Sequence, residues 1–283
     1  MLSLHTNNAT LSAQNSISKT QSSLSTSMTR LSTGYRINSS QDDAAGLQIA
    51  SRLKAQTSGM AVAMRNTQNA TSMLQTADGA LEEVSNMLVR MKDLATQSAD
   101  ASSTDADKVA MQSEYDALGK ELGNVLKNTT FGGEKLLVAG TTSKAMTFQI
   151  GASSSETMSV DLTSDMSAVV TNVTSASANY ATAGTGTELT SAANGAIGKL
   201  DTALASVNKV RSGLGAAANR LDHVYNNLSN ISTNTQAAAG LIMDVDFASE
   251  SSSMTSNQML LQAGTAMLKQ TNSMSSMVMS LLQ

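Results

Sequence analysis

The sequence predicts a mainly α protein: a long antiparallel coiled-coil rod of N- and C-terminal helices with a small β-hairpin. Three observations support this class. The 283 residues contain no proline, where ordinary usage of about 5% predicts roughly fourteen, and proline interrupts helix interiors. Apolar residues recur at heptad spacing over much of the chain, which is typical of coiled coils. One short region instead alternates apolar and polar residues, which is typical of strands.

The two ends of the chain share an amphipathic pattern with very little charge. The first thirty residues carry only Lys19 and Arg30 as full charges, and residues 247–283 carry only Glu250 and Lys269. The N-terminal end has one narrow apolar stripe at helical spacing, and the C-terminal end has two adjacent apolar columns, of which the second is Leu260, Met267, Met274 and Leu281. The predicted stripe comprises Ile17, Leu24, Met28, Leu31, Met254, Leu261, Leu268 and Leu282.

Such ends are expected to become helical only in contact with other copies of the chain. Ordering a residue costs about 1–2 kcal/mol of backbone entropy, so about thirty residues at each end cost tens of kcal/mol. One narrow stripe is a small compensation for that cost. We therefore predict that the terminal helices are ordered only on polymerisation, as a coiled pair with a neutral outer face.

The central part of the chain predicts long helices separated by short breaks. Apolar steps of three and four indicate a helix from about Ala44 to Ser98. The polar run after it ends in Thr104 and Asp105, either of which is a suitable N-cap for a helix that runs to about Asn128. Gly132 and Gly133 then mark a turn.

A second long seam lies at residues 197–231. One column of apolar residues recurs at every seventh position, and another column precedes it by three. The first column is Leu200, Val207, Leu214, Leu221 and Leu228, and the second is Ile197, Leu204, Arg211, Ala218 and Tyr225. This pattern over more than four heptads predicts a coiled-coil face.

The pattern divides the chain into three regions. Residues 1–43 and 234–283 form the terminal coiled-coil domain with its connectors. Residues 44–162 and 190–233 form a helical rod domain, with the β-hairpin at about 146–162. Residues 163–189, rich in Ser, Thr, Ala and Gly, are predicted to be a short, irregular surface excursion.

Composition excludes several classes of function. A net charge of −4 gives no basic face for nucleic acid. No run approaches eighteen apolar residues, so no membrane span is predicted, and the start lacks the pattern of a cleaved secretory signal. With no cysteine and two histidines, the material for nucleophilic or metal catalysis is scarce, so no cofactor and no enzyme activity are predicted.

The stretch LSTGYRINSSQDDAAGLQIASRL, residues 31–53, reads as a connector between two helices. Gly34 suits the left-handed conformation that closes a helix. Asp42 and Asp43 are residue types that cap and stabilise the next helix. Arg36 and the two aspartates are also candidates for ion pairs between subunits, and both readings stay open.

The same stretch resembles the signature of bacterial flagellins, the subunits of the flagellar filament. The resemblance extends through LEEVSNMLVRMKDLATQSAD, NTTFGGEKLL, VRSGLGAAANRLDHVYNNLSN and MDVDFASESSSMTSNQMLLQAGTAMLKQ, covering about residues 1–162 and 190–283. It implies a structural subunit that polymerises with identical or sister flagellins. It further implies a hairpin-shaped subunit whose paired termini line an axial channel, and an extracellular filament exported without a cleaved signal.

Two departures from the family pattern stand out. Only about thirty residues follow the hairpin where flagellins usually carry a large variable domain. The run NTQAAAGLIMDVDF also lacks the arginine-bearing segment common before the aspartates.

The resemblance also implies partners and site residues. The segment LVRMKDLATQ resembles the surface that packs between protofilaments and, in many flagellins, is recognised by the host innate flagellin receptor. The residues aligned with it are Arg90, Leu94, Gln97 and Glu114. The alternative reading is that Leu94 is core and the charges form a solvated helix face. Other implied partners are the flagellar export apparatus, an export chaperone at the methionine-rich C-terminal helix, and the filament cap and junction proteins.

Two further features have competing readings. Asp244 and Asp246 form a carboxylate pair, for which helix capping is favoured over a metal or acid–base role. The excursion resembles a region that carries O-linked sugars in some flagellins, and its candidate acceptors are Ser167, Thr171, Thr174, Ser175 and Ser177.

Two alternative functions stay open at this point. A hook–filament junction protein shares related termini but normally differs in its middle. From another class, a soluble coiled-coil adapter or signalling rod would carry charged flanking positions and would not need near-neutral ends.

Overall fold

The computed structural model describes residues 8–180 and 186–281, with side chains described as far as residue 273. Within these residues the chain forms six α-helices and two antiparallel two-stranded sheets. The helices are α1 (Asn8–Thr33), α2 (Ala44–Ser98), α3 (Asp105–Asn128), α4 (Thr163–Ala176), α5 (Glu188–Met243) and α6 (Phe247–Leu281). The strands are β1 (Thr130–Phe131), β2 (Glu134–Lys135), β3 (Met146–Gln149) and β4 (Thr157–Val160).

The chain divides into two compact units. Unit 1 comprises Met1–Thr57 and Thr233–Gln283, and unit 2 comprises Ser58–Ser232. The division between Ser232 and Thr233 lies within one residue of the predicted boundary. The division between Thr57 and Ser58 instead falls inside α2, not at its start. The first turns of α2 therefore belong to unit 1, where Ala50 is buried.

The predicted central helices and turns are confirmed. The helix α2 spans Ala44–Ser98, and α3 begins after Thr104 with a capping box in which Thr104 and Asp107 bond each other's backbone N–H. The turn between β1 and β2 places Gly132 and Gly133 at φ +61° and +91°, a region that favours glycine. The strands β3 and β4 pair with Met146 opposite Val160, as the alternation predicts.

The core of unit 2 lies between the long helices and the hairpin. Leu81, Leu88 and Met91 of α2 are fully buried, as are Tyr115 of α3 and Leu200 of α5. This apolar burial is the main stabilising contribution to the unit.

The first heptad column of α5 is confirmed, but the second is wrong by one residue. The inward column is Ala196, Ala203, Val210 and Ala217, which are all buried, whereas the predicted column flanks it. Arg211 lies in the predicted column, and its guanidinium instead bonds Asp78 at 3.0 Å and Glu82 at 3.3 Å. The larger Ile197 and Leu204 of the predicted column are partly buried and pack against the edge of this core.

The prediction that residues 163–189 are an irregular surface excursion is wrong. Thr163–Ala176 forms the helix α4, whose Met166, Val169, Val173 and Ala176 are buried. These four residues recur at steps of three and four, which is a helical apolar face hidden in a Ser/Thr-rich composition. A 3₁₀ turn at Ala178–Tyr180 follows, with Asn179 and Tyr180 buried.

The segment after α4 packs on two glycines of α3. A Cβ atom on Gly119 would meet the side chain of Ser177, and a Cβ on Gly123 would lie 3.0 Å from the backbone oxygen of Tyr180. The hydroxyl of Tyr115 donates to the carbonyl of Ala176 at 2.6 Å. Burial raises the pKa of this Tyr115 hydroxyl well above its usual range. The segment is thus part of the core rather than an appendage.

A buried amide completes this attachment. Gln112 is 2% exposed; its amide donates to Asp116 at 2.7 Å and Glu188 at 2.9 Å and accepts from the N–H of Leu189 at 2.7 Å. Because buried polar groups are costly unless they are hydrogen-bonded, this network fixes the start of α5 against α3.

Within the part of the chain that the structure describes, no helix has the length and apolarity needed to span a membrane.

Candidate self-assembly surface

The helices α1 and α6 pack along each other as an antiparallel pair within unit 1. The less exposed positions recur at alternating steps of three and four on both helices, which is the heptad pattern of a coiled coil. On α1 they are Thr10, Ala13, Ile17, Thr20, Leu24, Ser27 and Leu31, and on α6 they are Glu250, Met254, Asn257, Leu261, Gly264, Leu268 and Thr271.

Each helix contributes one column of large apolar residues and one column of small or polar residues to the seam. Ile17 packs directly on Gly264, where an added Cβ would lie 2.8 Å from Cγ1 of Ile17. A real Cβ cannot occupy that space without a shift of the isoleucine or of a helix. The small column therefore sets how closely the two helices approach.

Among the described side chains, one ion pair crosses the seam. Arg30 and Glu250 approach to 3.6 Å between N and O, with side chains 29% and 15% exposed. Each is one of the two full charges of its terminal segment. The pair brings the two opposite charges together across the seam, so that they neutralise each other.

The predicted apolar stripe is mostly at the seam. Ile17, Leu24 and Leu31 of α1 and Met254, Leu261 and Leu268 of α6 are all half-buried. Met28 is wrong as a seam residue, since it is 56% exposed and Ser27 holds the seam position instead. One residue corresponds to about 100° around a helix, so Met28 points away. Leu282 lies outside the described residues.

Both helices also leave large apolar side chains in solvent. Each of these side chains is at least half exposed. They are Leu11, Met28, Phe247, Met259, Leu260 and Met267, which we call the uncovered rows. A set of exposed apolar side chains on two paired helices is typical of an interaction surface.

The connector of residues 31–53 joins the ends of unit 1 by backbone hydrogen bonds. Gly34 has φ +76° and closes α1, as predicted. Tyr35 forms an antiparallel bridge with Asp244, and the guanidinium of Arg36 donates to the carbonyl of Ile242 at 2.9 Å. Arg36 therefore ties the two connectors of one chain together, an interaction that the sequence alone did not reveal.

The paired aspartates of the connector act on the backbone next to them. Oδ2 of Asp42 accepts from the N–H groups of Asn38 at 3.0 Å and Ser39 at 2.8 Å. These bonds lower the pKa of Asp42, and the bond from the N–H of Ser39 has the largest effect. Oδ1 of Asp43 accepts from the N–H of Gly46 at 2.8 Å and so caps α2. The capping interpretation is thus confirmed for Asp43, whereas Asp42 instead closes the turn of the connector that precedes α2.

On unit 2, three of the four aligned residues share an exposed surface. Arg90 donates from two guanidinium nitrogens to Oε1 of Glu114 at 2.9 and 2.7 Å, and Gln97 is exposed. Leu94 is wrong as a packing residue between subunits, since it is 3% exposed and belongs to the core. The adjacent Lys92 is engaged with Asp201 at 2.6 Å.

Four of the five hydroxyl candidates in the former excursion lie on the exposed face of α4. Ser167, Thr171, Thr174 and Ser175 are exposed. Ser177 is wrong as a modification site, since it is 1% exposed and packed against α3. The four exposed candidates thus lie on a helix face and not on a loop.

Among the described residues, no group of three or more His, Asp or Glu side chains is placed to hold a metal ion. Asp246 instead accepts from the N–H of Ala248 at 3.0 Å and caps α6, as predicted.

The paired termini, the uncovered rows and the scarcity of charge define a class: a helical subunit that assembles with copies of itself. Residues 4–142 match the family model described as the bacterial flagellin N-terminal helical region, and residues 197–282 match that of the C-terminal helical region. The chain belongs to the bacterial flagellin family. It is a structural subunit of the extracellular flagellar filament used for motility, and it polymerises with other flagellins.

Curated relatives agree with this assignment. A flagellin of Halalkalibacterium halodurans is 40% identical over 253 residues, covering 89% of each chain. Flagellin A of Vibrio cholerae O395 is 34% identical over 379 aligned positions that cover all of both chains. Since that alignment is longer than the 283 residues here, the Vibrio protein has residues with no counterpart in this chain.

A solved structure supports the fold. A candidate flagellar hook-associated protein from Vibrio parahaemolyticus matches with a TM-score of 0.59 at 18% identity, over 71% of this chain and 99% of that one. At this identity the likeness is one of fold, and the family models and named relatives favour flagellin over a junction protein.

Sequence reasoning missed the small column of the terminal seam and the Arg30–Glu250 pair. Both carried a signal. Ala13, Thr20 and Ser27 stand at sevens beside the large column, and the two charges are in register with the stripes. The signal was overlooked because small and polar residues do not stand out in a search for apolar periodicity.

Proposed function

We propose that the uncovered rows of α1 and α6 are the surface through which each flagellin copy packs on its neighbours in the filament. The observation that carries the proposal is their exposure: Leu260 is 56% and Met267 is 65% exposed although both flank a coiled-coil seam. Full burial of one such side chain contributes about 1.5–3 kcal/mol. A few contacts of this kind in each copy therefore supply a substantial driving force.

The low charge of the ends supports the same proposal. Stacking identical subunits brings like charges together, and buried unpaired charges are strongly unfavourable. The helices α1 and α6 carry four charged residues, Lys19, Arg30, Glu250 and Lys269, of which Arg30 and Glu250 neutralise each other. The outer face of the pair is consequently uncharged over most of its length.

A second assembly surface is proposed on unit 2. Arg90, Gln97 and Glu114 form an exposed polar patch in which two guanidinium nitrogens of Arg90 donate to one carboxylate oxygen of Glu114, and we assign it to contacts between neighbouring subunits. The innate flagellin receptor of a host would recognise the same patch. Receptor activation that is unchanged by Arg90→Ala with Glu114→Ala would contradict that assignment.

Partners before assembly follow from the same exposed rows. An export chaperone would cover the apolar residues of α6 before the subunit passes the export apparatus without a cleaved signal. Filament cap and junction proteins would contact subunits at the two ends of the polymer. A chaperone that bound the Leu260→Asp subunit as tightly as the native one would oppose the α6 assignment.

The exposed face of α4, with Ser167, Thr171, Thr174 and Ser175, is the proposed place for O-linked sugars. A subunit mass equal to that of the bare sequence would contradict this.

The assembly surface is tested with a single charge. Leu260→Asp is expected to raise the critical concentration for polymerisation at least about tenfold, because a buried unpaired carboxylate is costly. The matched control is Ala168→Asp, which adds the same charge on the exposed face of α4 and is expected to leave polymerisation unchanged. Polymer mass is measured by sedimentation across subunit concentrations. Native assembly by the Leu260→Asp subunit would refute the proposed surface.

A further inference from the structure

Among the methionines whose side chains the structure describes, the three that are more than half exposed all lie in unit 1, where Met243 and Met254 are half-buried. Seven methionines of unit 2 are at most 9% exposed: Met60, Met87, Met91, Met111, Met146, Met158 and Met166. Met64 and Met73 of the same unit are half-buried. In contrast, Met28, Met259 and Met267 are 56%, 61% and 65% exposed, and all three lie on the paired helices of unit 1.

The exposed methionines are part of the proposed assembly surface. Met259 adjoins Leu260 in sequence, and Met267 lies two helical turns further along α6. Met28 lies on α1 beside the buried Ser27. Each contributes a flexible, apolar thioether to the uncovered rows.

We propose that Met28, Met259 and Met267 are oxidation sites through which hydroperoxides control assembly of the subunit. The thioether sulfur donates a lone pair to one oxygen of hydrogen peroxide, and the O–O bond breaks. The sulfur keeps that oxygen as the sulfoxide, and the departing hydroxide leaves as water after proton transfer. This inference rests on the assembly surface proposed above.

Oxidation makes these methionine side chains polar, whereas the proposed assembly surface depends on their being apolar. A sulfoxide is polar and accepts hydrogen bonds from water, so covering it requires the loss of that hydration. Three sulfoxides on α1 and α6 thus weaken packing between subunits. A methionine sulfoxide reductase reverses the change, with a dithiol becoming a disulfide and the sulfoxide oxygen leaving as water.

Exposure also gives the reaction its selectivity. A peroxide reaches the three exposed sulfurs directly, whereas in unit 2 it must wait for local opening of the core. Within a polymer the uncovered rows are covered, so the free subunit is the reactive form. The chemistry therefore acts on subunits before they join the filament.

The test uses the full chain and hydrogen peroxide as the probe. Monomer is exposed to a peroxide series, sulfoxide at each methionine is quantified by peptide mass spectrometry, and the treated protein is then polymerised. We expect Met28, Met259 and Met267 to react on the order of tenfold faster than Met91 or Met166. Equal rates at exposed and buried methionines would overturn the proposal.

Separating partly oxidised protein into sedimented polymer and soluble subunits shows whether oxidation affects assembly. Sedimented polymer is expected to be depleted of sulfoxide at the three sites, and the supernatant to be enriched. Reduction by the two sulfoxide reductases is expected to restore polymer mass. Equal sulfoxide content in the two fractions would overturn the proposal, and this readout needs no variant.

Variants then assign the effect to residues. The triple change Met28→Leu, Met259→Leu and Met267→Leu is expected to assemble and to resist peroxide. The matched control, Met60→Leu with Met91→Leu, is expected to stay as sensitive as the native chain. A triple variant that loses assembly after peroxide as the native chain does would refute these sites. Failure of untreated native protein to polymerise, or native assembly by Leu260→Asp, would instead defeat the proposed surface.

Discussion

Gly264 shows how one small residue controls the terminal seam. The position faces Ile17, and the space that a Cβ would need is already filled by that side chain. Glycine is normally unfavourable in a helix by about 1 kcal/mol relative to alanine. Its presence in the middle of α6 is explained by the close approach of α1.

Gly264→Ala is expected to raise the critical concentration for polymerisation about tenfold, because overpacking costs about 1–3 kcal/mol. The control Gly215→Ala, which meets no atom within 4 Å, is expected to leave assembly unchanged and to stabilise α5 slightly. Ile17→Ala in the Gly264→Ala chain should recover part of the loss. A Gly264→Ala subunit that assembled like the native one would contradict close packing at this point. Sedimentation provides the measurement.

The stability of the connector depends on the protonation state of Asp42. Its pKa is lowered by the N–H groups of Ser39 and Asn38, with the hydroxyl of Ser39 and the charge of Arg30 adding to the effect. A folded-state pKa below the unfolded value means that the stabilisation is present above the unfolded pKa of 3.8. It is lost as the pH falls through the lower, folded value.

The expected outcome is a titration of the Asp42 carboxyl below 3.8, followed by carboxyl-carbon NMR. Asp42→Asn should reduce stability at neutral pH, and the difference from the native chain should vanish at low pH, where both side chains are neutral. Thermal melting at several pH values measures that difference. An Asp42 that titrated at or above the ordinary value would show that the backbone bonds are absent in solution.

At the scale of elements, α4 and the turn after it are attached through glycines of α3. Gly119 and Gly123 stand one helical turn apart and face Ser177 and Tyr180. Lys127, a further turn along, donates to the carbonyl of Tyr180 at 2.8 Å and lies 4.7 Å from its ring centroid. One stripe of α3 thus holds the whole segment.

Gly119→Ala is expected to destabilise unit 2 by about 1–3 kcal/mol, because the new methyl group meets Ser177 in a packed core. Gly79→Ala is the control, since nothing lies within 4 Å of that position. Adding Ser177→Gly to Gly119→Ala should restore most of the stability. Denaturant unfolding gives the three values, and a Gly119→Ala protein as stable as the Gly79→Ala control would contradict docking of the segment on α3.

At the scale of the whole molecule, the order of the terminal helices is the property that assembly should change. Among the described residues of α1, Ser27 alone is buried, so one chain provides little burial to offset the entropy of ordering 26 residues. We expect neighbouring copies to supply the missing burial by covering the uncovered rows.

We therefore expect rapid hydrogen exchange at amides 8–30 in dilute monomer and slow exchange in the filament. Mass spectrometry of peptic fragments gives the measurement, with the amides of α5 near Val207 and Leu214 as an internal control that stays protected in both forms. Well-protected amides at residues 8–30 in dilute monomer would show that one chain orders its own ends.

The sequence by itself determined the long helices, the turns and most of the caps, but not the helix α4. Ala44, Thr104, Gly34 and Asp246 mark helix ends because capping depends on atoms only a few residues apart. The columns of Leu200 and Ile17 were readable because a helix repeats its faces at a fixed period. Membership of the flagellin family was also readable from several motifs in one order.

Only the tertiary structure decided which faces turn inward and which segments meet. It placed Ala203 rather than Leu204 at the seam of α5, buried Leu94 and Ser177, and docked α4 where the composition predicted an irregular surface. It also joined Arg30 to Glu250 across the seam. These outcomes depend on the volume and charge of residues far apart along the chain, whereas periodicity and caps depend on near neighbours.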